Sequence, residues 1–317
     1  MRIDVHAHYF PNEYLECLDR MGDKNAKIVT APGAKVTLDE RIDLMTDAGI
    51  DMQVLSPASR LPYFGKKEDA VAAARLGNDL YVEVVKKYSG RFSAFANVPL
   101  PHVDAAIEEV GRCLDSLGMV GVMTGCSVAG RQLDDPLFTP FWAELDRRKA
   151  VLFLHPIGVG CPGSEAYGLT WMVGAPFEDT ITALRLVLSG VTTRFPNVRI
   201  IVPHLGGTLP FLIQRLDDSA DRERGRGGSG APFGTDELPS RMVKRLWFDT
   251  VNAYPAAVRC ACEAYGADRL MLGTDWPYLA GPKFKRCVTY IEQAGLPKTD
   301  VEAILERNAE ALLGIKR

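Results

Sequence analysis

Short apolar segments alternate with helix-like segments along almost the whole chain, and this alternation limits the folds available to it. Eight segments are short and rich in apolar or β-branched residues, as expected for strands: 3–8, 52–56, 92–98, 120–124, 150–155, 198–204, 246–250 and 269–275. Between most of them lie segments with apolar residues at helical spacing: 39–49, 104–118, 135–149, 178–195 and 255–266. Nearly all the strand segments are apolar throughout, which is typical of parallel strands covered by helices.

The repeat predicts an α/β fold, a closed (β/α)8 TIM barrel in a single domain over residues 1–317. The chain length of 317 residues suits such a barrel with insertions. An open doubly wound sheet is the alternative. That fold usually has a glycine-rich turn after its first strand, and the sequence HAHYFPNE at 6–13 contains no glycine.

Two segments depart from the repeat. A small insertion of weak periodicity follows the first strand at about 9–38, and a polar stretch rich in glycine and arginine occupies about 219–240. Long irregular connections in a compact domain are often functional, so we expect active-site flaps or subunit contacts here. For 219–240 the alternative is a flexible surface loop.

The composition argues against several classes of partner. A net charge of −3 and a pI near 6.0 leave no strongly basic surface for nucleic acid. No apolar run approaches the roughly 18 residues needed to cross a membrane, and the first residues lack the apolar core of a secretion signal. The seven cysteines form no Cys-x-x-Cys pair, which favours reduced thiols. We therefore expect a cytoplasmic protein.

Two histidines end the first predicted strand. In an ideal strand Asp4, His6 and His8 point to one face, opposite to Val5. Two imidazoles on one face can bind one metal ion, although an isolated His-x-His pair is a weak signal. The interpretation therefore depends on the polar residues at other strand ends.

Three further polar residues end predicted strands. His155 ends the fifth, His204 the sixth and Asp275 the eighth. In a barrel the carboxyl ends of all strands meet at one rim, so these residues become neighbours there. Three nitrogens from His6, His8 and His155 and one oxygen from Asp275 would leave positions open for water or substrate, as in a catalytic zinc site. Mn²⁺ accepts the same ligands.

Several longer stretches carry a family resemblance: RIDVHAHYFP, RIDLMTDAGIDMQVLS, FANVPL, LFLHP, WMVGAPFEDT, FPNVRIIVPHLGGTLPF, RLMLGTDWP and RNAEALLGI. Together they span nearly the whole chain. In this order they resemble the amidohydrolase superfamily, in particular the branch that includes the aminocarboxymuconate semialdehyde, 6-methylsalicylate and γ-resorcylate decarboxylases.

The resemblance implies roles for the residues at the barrel rim. His6, His8 and His155 would bind Zn²⁺, with Mn²⁺ as the alternative. Asp275 would be the fourth ligand or a nearby acid or base, and His204 would be an unbound catalytic imidazole. Members of the superfamily with two metal ions carry a carboxylated lysine at the end of the fourth strand. The segment VGVMTGC has no lysine, so we expect one ion per subunit.

The favoured function is metal-dependent, non-oxidative decarboxylation of an aromatic or unsaturated carboxylic acid. The alternative is a metal-dependent hydrolase that acts on a lactone, an amide or a carbon–carbon bond of a ring-cleavage product. A third interpretation, a barrel that binds metal without turnover, is disfavoured because the ligand set is intact.

Arginine and aromatic side chains are candidates for binding the substrate. The planar fork of an arginine matches a carboxylate, and aromatic faces stack on planar acids. The resemblance also implies that the chain is a homodimer in which arginines cross the subunit interface. The candidates are Arg60, Trp171, Arg215 and Trp276, with Arg222 and Arg224 as alternatives to Arg215.

Overall fold

The computed structural model describes residues 1–225 and 237–315. In these ranges eight parallel strands follow one another around a barrel, which confirms the predicted fold class. Each strand pairs with the next in chain order. The strands are β1 (Ile3–His8), β2 (Met52–Ser56), β3 (Phe92–Ala96), β4 (Gly121–Gly125), β5 (Val151–His155), β6 (Arg199–Val202), β7 (Trp247–Asp249) and β8 (Leu270–Met271).

Backbone hydrogen bonds join β1 to the segment that follows β8. The amide of Val5 donates to the carbonyl of Leu272 at 2.9 Å, and the amide of Asp275 donates to the carbonyl of His6 at 2.8 Å. The sequence predicts a strand over 269–275, but the regular strand ends at Met271. The backbone nevertheless continues along β1, and this contact places Asp275 beside His6 at the rim.

Helices cover the outside of the barrel. No helix among the described residues has both the length and the apolar character that a bilayer crossing requires. The helices are α1 (Asn12–Arg20), α2 (Leu38–Asp47), α3 (Lys67–Lys87), α4 (Val103–Gly111), α5 (Thr139–Arg147), α6 (Ala175–Leu188), α7 (Val191–Arg194), α8 (Leu209–Gly225), α9 (Pro239–Met242), α10 (Pro255–Tyr265), α11 (Pro282–Glu292), α12 (Lys298–Glu302) and α13 (Asn308–Leu313).

The core consists of two apolar layers because the strands alternate. Side chains from alternate strand positions fill the barrel interior, for example Phe95, Met123 and Phe153. Their neighbours in sequence, such as Leu152 and Leu154, pack between the barrel and the helices. This arrangement explains why the strand segments are apolar throughout.

A register shift in β1 makes one sequence prediction wrong. The pairing with β2 changes register between Asp4 and Ala7, so one extra residue is inserted in β1. Val5 therefore packs in the barrel interior and Ala7 in the outer layer. Asp4 does not share the face of the two histidines, because its carboxylate accepts hydrogen bonds from Gln53 at 2.7 Å and from Thr274 at 2.6 Å. The ideal two-residue alternation fails at this bulge.

The insertion after β1 is partly helical. It contains α1 and an irregular segment at 21–37. Thr37 and Glu40 form a capping box that ends the insertion and starts α2. The second unusual segment, 219–240, contains the end of α8 and the start of α9, and its central residues 226–236 lie outside the described ranges.

Candidate metal centre and active site

Four polar side chains converge at the carboxyl end of the barrel. His6 and His8 belong to β1, His155 is the last residue of β5, and Asp275 follows β8. One ligand atom from each lies within 4.8 Å of all the others. The Nε2 atoms of His6 and His8 are 3.1 Å apart, and Oδ1 of Asp275 lies 3.3 and 3.2 Å from them. The structure thus brings the predicted ligand set together.

Each of the three imidazoles is oriented by a hydrogen bond that involves its Nδ1 atom. Nδ1 of His6 donates to the carboxylate of Asp249 at 2.6 Å, and Nδ1 of His155 donates to the carbonyl of Pro156 at 2.7 Å. Nδ1 of His8 lies 2.8 Å from the hydroxyl of Ser56. Metal-binding histidines are usually held in this way, with the other nitrogen facing the ion.

One buried atom has no hydrogen-bond partner at this centre. Nε2 of His155 is fully buried, and no protein atom satisfies it. A buried polar atom without a partner is unfavourable by about 1–3 kcal/mol. A cation at the meeting point of the four groups would satisfy this lone pair, so the donor set fits a divalent metal ion.

Burial and neighbouring charges shift the pKa values of the four groups. Burial lowers the pKa of His8 to about 4 and holds that of His155 well below its usual range. Burial also acts on His6, but Asp249 and Asp275 outweigh it and raise the His6 pKa to about 10. Burial would raise the pKa of Asp275, yet its contacts with His6 and His8 keep it well below its usual range. The two carboxylates thus favour positive charge at this centre, as they would around a bound cation.

His204 lies beside the centre and outside the ligand set. Its ring centroid is 5.1 Å from that of His6, and its Nδ1 donates to the carboxylate of Asp179 at 2.8 Å. The backbone amide of His204 donates to Oδ1 of Asp249 at 2.9 Å. Its φ of 54° is unusual for a residue other than glycine, as is common at functional sites. His204 is positioned for proton transfer near the four converging groups.

A cavity of about 510 Å³ opens over this centre. His155, His204 and Asp275 form part of its wall, and Arg60 and Trp171 face it as well. The insertion after β1 contributes three of the lining residues, Asn25, Ile28 and Thr30. The complete lining is Asn25, Ile28, Thr30, Ser59, Arg60, His155, Pro156, Trp171, Ala175, His204, Asp275 and Tyr278.

Two predicted substrate residues do not line this cavity. The indole of Trp276 is 2% exposed and packs against Phe284, with the guanidinium of Arg41 above it. Proximity to Asp275 in sequence does not place Trp276 in the cavity, because adjacent residues leave the backbone in different directions. Arg215 lies with Arg222 in a separate depression on α8. The side chain of Arg224 lies outside the described part of the structure.

Sequence reasoning missed three residues that support the centre. Asp249 ends β7, so the rule that found Asp275 at a strand end could have found it too. Ser56 ends β2 in the same way. Asp179 lies on α6, and no strand-end pattern marks it. Only the contact between α6 and the turn after β6 reveals its position beside His204.

The fold and the site define a class of protein, a (β/α)8 barrel with a candidate site for a divalent metal ion at the carboxyl ends of its strands. Residues 3–315 match the Amidohydrolase family. The chain belongs to this family, as the sequence resemblance predicts.

Two of the relatives of this chain are decarboxylases. The 2-amino-3-carboxymuconate-6-semialdehyde decarboxylase of Dictyostelium discoideum is 29% identical over 280 residues, which cover 87% of this chain and 76% of that protein. The gamma-resorcylate decarboxylase of a Rhizobium species is 32% identical over 263 residues, which cover 76% of each chain.

A solved structure shares the fold over the full chain. It is a dihydroxybenzoic acid decarboxylase from a Polaromonas species with bound manganese and the inhibitor 2-nitroresorcinol. The TM-score is 0.83 at 24% identity, and the alignment covers 100% of this chain and 97% of that chain. The barrel and its helices therefore correspond from end to end.

Proposed function

We propose that this chain is a metal-dependent, non-oxidative decarboxylase of an aromatic or unsaturated carboxylic acid. The observation that carries the proposal is the convergence of four possible metal ligands, two of which, His155 and Asp275, line one 510 Å³ cavity together with His204. The two named relatives favour lyase chemistry over the alternative, hydrolysis of a lactone, an amide or a carbon–carbon bond.

One divalent ion would be held by His6, His8, His155 and Asp275. When bound, it would supply a Lewis acid that polarises the substrate carboxylate and stabilises the negative charge that develops as CO2 leaves. A single ion is supported by Met123 on β4, whose side chain is buried in the barrel interior and offers no carboxylated amine. Zinc is the proposed ion and manganese the alternative. Elemental analysis of protein purified without added metal tests the choice.

Asp275 and His204 are the proposed acid–base groups. Decarboxylation of a phenolic acid requires a proton at the carbon that bears the carboxylate. A C–H bond forms there, the bond to CO2 breaks, and its electron pair restores the aromatic ring. Asp275 is the proposed donor for such a substrate. Because its contacts keep its pKa well below the usual range, it must first receive a proton, and His204, which lines the same cavity, is the proposed source. For an open-chain dienoic acid, His204 is instead the proposed base that takes a proton from water.

Arg60 and Trp171 are the proposed substrate-binding residues. Arg60 is the one lysine or arginine among the described residues that line the cavity. Its guanidinium donates to the carbonyl of Ile28 at 2.9 Å, which ties it to the insertion. The indole of Trp171 lies against Gly158, where a Cβ atom would come within 2.6 Å of the ring. A cation and an aromatic wall suit a planar acid.

The proposal includes a homodimer in the cytoplasm, with 219–240 as a flap or subunit contact. Exposed apolar side chains on and near α6 support an interface, namely Met172, Phe177 and Ile181. All seven cysteines are free, which suits a reducing compartment. In a dimer Arg215 could act at a partner's cavity. Light scattering on the purified protein tests the assembly, and cell fractionation tests the location.

The function is tested with a panel of hydroxybenzoates, lactones and meta-cleavage products. We expect release of CO2 from at least one acid, measured by gas evolution and mass spectrometry. His204→Ala should lower kcat by about 10²- to 10⁴-fold and leave a measurable residual rate. Asp134→Asn, which removes an ion pair with Arg185, should leave kcat unchanged. Hydrolysis of a lactone with no CO2 from any acid would reverse the order of the two candidate functions.

Arg60 has a test of its own. Arg60→Gln should raise KM for the accepted acid by about 10- to 100-fold, because a charged hydrogen bond contributes roughly 1.5–3 kcal/mol. Arg131→Gln is the matched control, since Arg131 forms an ion pair with Asp135 away from the cavity. An unchanged KM for Arg60→Gln would remove this residue from the proposal.

A further inference from the structure

We propose that Asp179, a buried carboxylate on α6, is a positioning residue that holds His204 in the tautomer required for proton transfer at the cavity. The inference rests on the proposed function, because it assigns a role to the partner of a proposed acid–base group. It adds a residue that no strand-end pattern marks, although Asp179 lies in the stretch WMVGAPFEDT, one of those that carry the family resemblance.

Both carboxylate oxygens of Asp179 are engaged. Oδ2 lies 2.8 Å from Nδ1 of His204, and Oδ1 accepts a hydrogen bond from the thiol of Cys126 at 3.5 Å. A carboxylate can only accept, so Nδ1 of His204 carries the hydrogen. In the neutral imidazole of His204 the lone pair therefore lies on Nε2, away from Asp179. Because each oxygen has its own partner, rotation of the carboxylate would break one of the two bonds.

The contact between α6 and the turn after β6 fixes the distance between the two groups. Thr180, next to Asp179, accepts a hydrogen bond from the amide of Thr208 at 2.8 Å. On the other side, a Cβ atom at Gly207 would lie 1.9 Å from the carbonyl of Pro176. Only glycine permits this approach, so the helix and the turn dock in one arrangement.

The pair is better explained by positioning than by stability. Asp179 is fully buried, and burial raises its pKa to about 6 although His204 opposes the shift. Asp249 faces it as a second negative charge, and no described lysine or arginine is hydrogen-bonded to it. A buried carboxylate paired with an imidazole, like a buried ion pair, is often no more stabilising than apolar side chains of similar size. An apolar residue would fill this place at least as well, whereas it could not orient the imidazole.

The first test observes the tautomer directly. Zinc-loaded protein labelled with 15N at its five histidines is examined by long-range 1H–15N NMR, and His204→Ala identifies the signal of His204. We expect a protonated Nδ1 and an unprotonated Nε2 in the wild type at a pH above the His204 pKa, which burial would lower but Asp179 raises above its usual value. In Asp179→Asn the amide can donate to Nδ1, so the populations should shift towards the other tautomer. Asp134→Asn should leave the spectrum unchanged. An unaltered His204 signal in Asp179→Asn, at equal zinc content, would overturn the proposal.

The second test uses any acid of the panel that releases CO2. Asp179→Asn should lower kcat by about 10²- to 10⁴-fold with KM and zinc content nearly unchanged. In the His204→Ala background the same substitution should have no further effect, because the residue acts through His204. Additive losses would contradict the inference. If no acid releases CO2, the proposed function fails, and the NMR spectra still decide the role of Asp179.

Discussion

The amino and carboxyl ends of the barrel differ in the side chains that fill them. At the amino end, the apolar interior continues into Leu312 and Leu313 of α13. The chain terminus is held there by an ion pair between the amino group of Met1 and Glu310 at 2.8 Å. At the carboxyl end, buried histidines and acids meet, and Nε2 of His155 has no protein partner.

The backbone φ angles also differ between the two ends of the barrel. His204, Leu205 and Asp275 have positive φ angles and lie at the carboxyl rim, whereas at the amino end Lys149, just before β5, is the one such non-glycine residue in the described ranges. Such conformations are unfavourable for residues other than glycine unless the surroundings enforce them. The comparison indicates that one end of the barrel maintains the fold while the other holds groups in arrangements suited to chemistry.

The largest expected effect is at the carboxyl end. The double variant His6→Ala/His8→Ala should fold but retain almost no metal, because two of four ligands are gone. Decarboxylase activity should fall by at least about 10³-fold. Elemental analysis, circular dichroism and CO2 release measure the three properties. A variant that unfolds would show that the metal centre also maintains the fold, which would break the contrast between the two ends.

A core substitution at the amino end should have the converse effect. Leu312→Ala should lower the free energy of unfolding by about 2–5 kcal/mol, because a buried leucine leaves a cavity. Metal content and kcat of the folded protein should be unchanged. Leu137→Ala, at a position that is 43% exposed, is the control and should change stability little. Urea unfolding and steady-state kinetics make the comparison. A large loss of kcat in Leu312→Ala would show that the ends are coupled.

Removing a support of a ligand should have a smaller effect than removing the ligand. Asp249→Asn should weaken metal binding by about 10- to 100-fold, since the carboxylate orients His6 through Nδ1. The folded structure should persist. Competition with a chelator measures the affinity. Unchanged affinity would show that the ring of His6 is held by packing alone.

The smallest expected effect concerns an ion-pair group on α5, near the amino end. Arg147 and Arg148 lower the pKa of Glu144 to about 2, below its ordinary value of 4.5. The folded-state pKa is depressed, so the stabilisation is present above about pH 4.5 and is lost as the pH falls towards 2. Glu144→Gln should lower the free energy of unfolding by less than about 1 kcal/mol at pH 7.

The measurement is the pH dependence of the difference in free energy of unfolding between the wild type and Glu144→Gln. Urea unfolding of wild type and Glu144→Gln at several pH values should show the two stabilities converging below pH 4.5. A difference that stays constant down to pH 2 would exclude the ion pairs as its source.

The residues at the carboxyl ends of the strands could be predicted from the sequence for two reasons. Apolar runs mark the strands, and parallel barrel topology brings every carboxyl end to one rim. His155 and Asp275 are 120 positions apart in the sequence. His155 ends β5 and Asp275 follows the end of β8, so both reach the same centre at the carboxyl end of the barrel. The substrate-binding residues were harder to predict, since Trp171 lines the cavity whereas Trp276 is buried away from it.

The sequence by itself determined the barrel, the rim and the four groups that meet there, because strand periodicity and strand order are local properties. Tertiary structure alone decided which way Asp4 faces, because an extra residue in β1 reverses the alternation. It also decided that Asp179 meets His204, because that contact depends on how closely a helix approaches a turn. Side-chain direction and helix docking arise from packing between distant segments, and no local pattern records them.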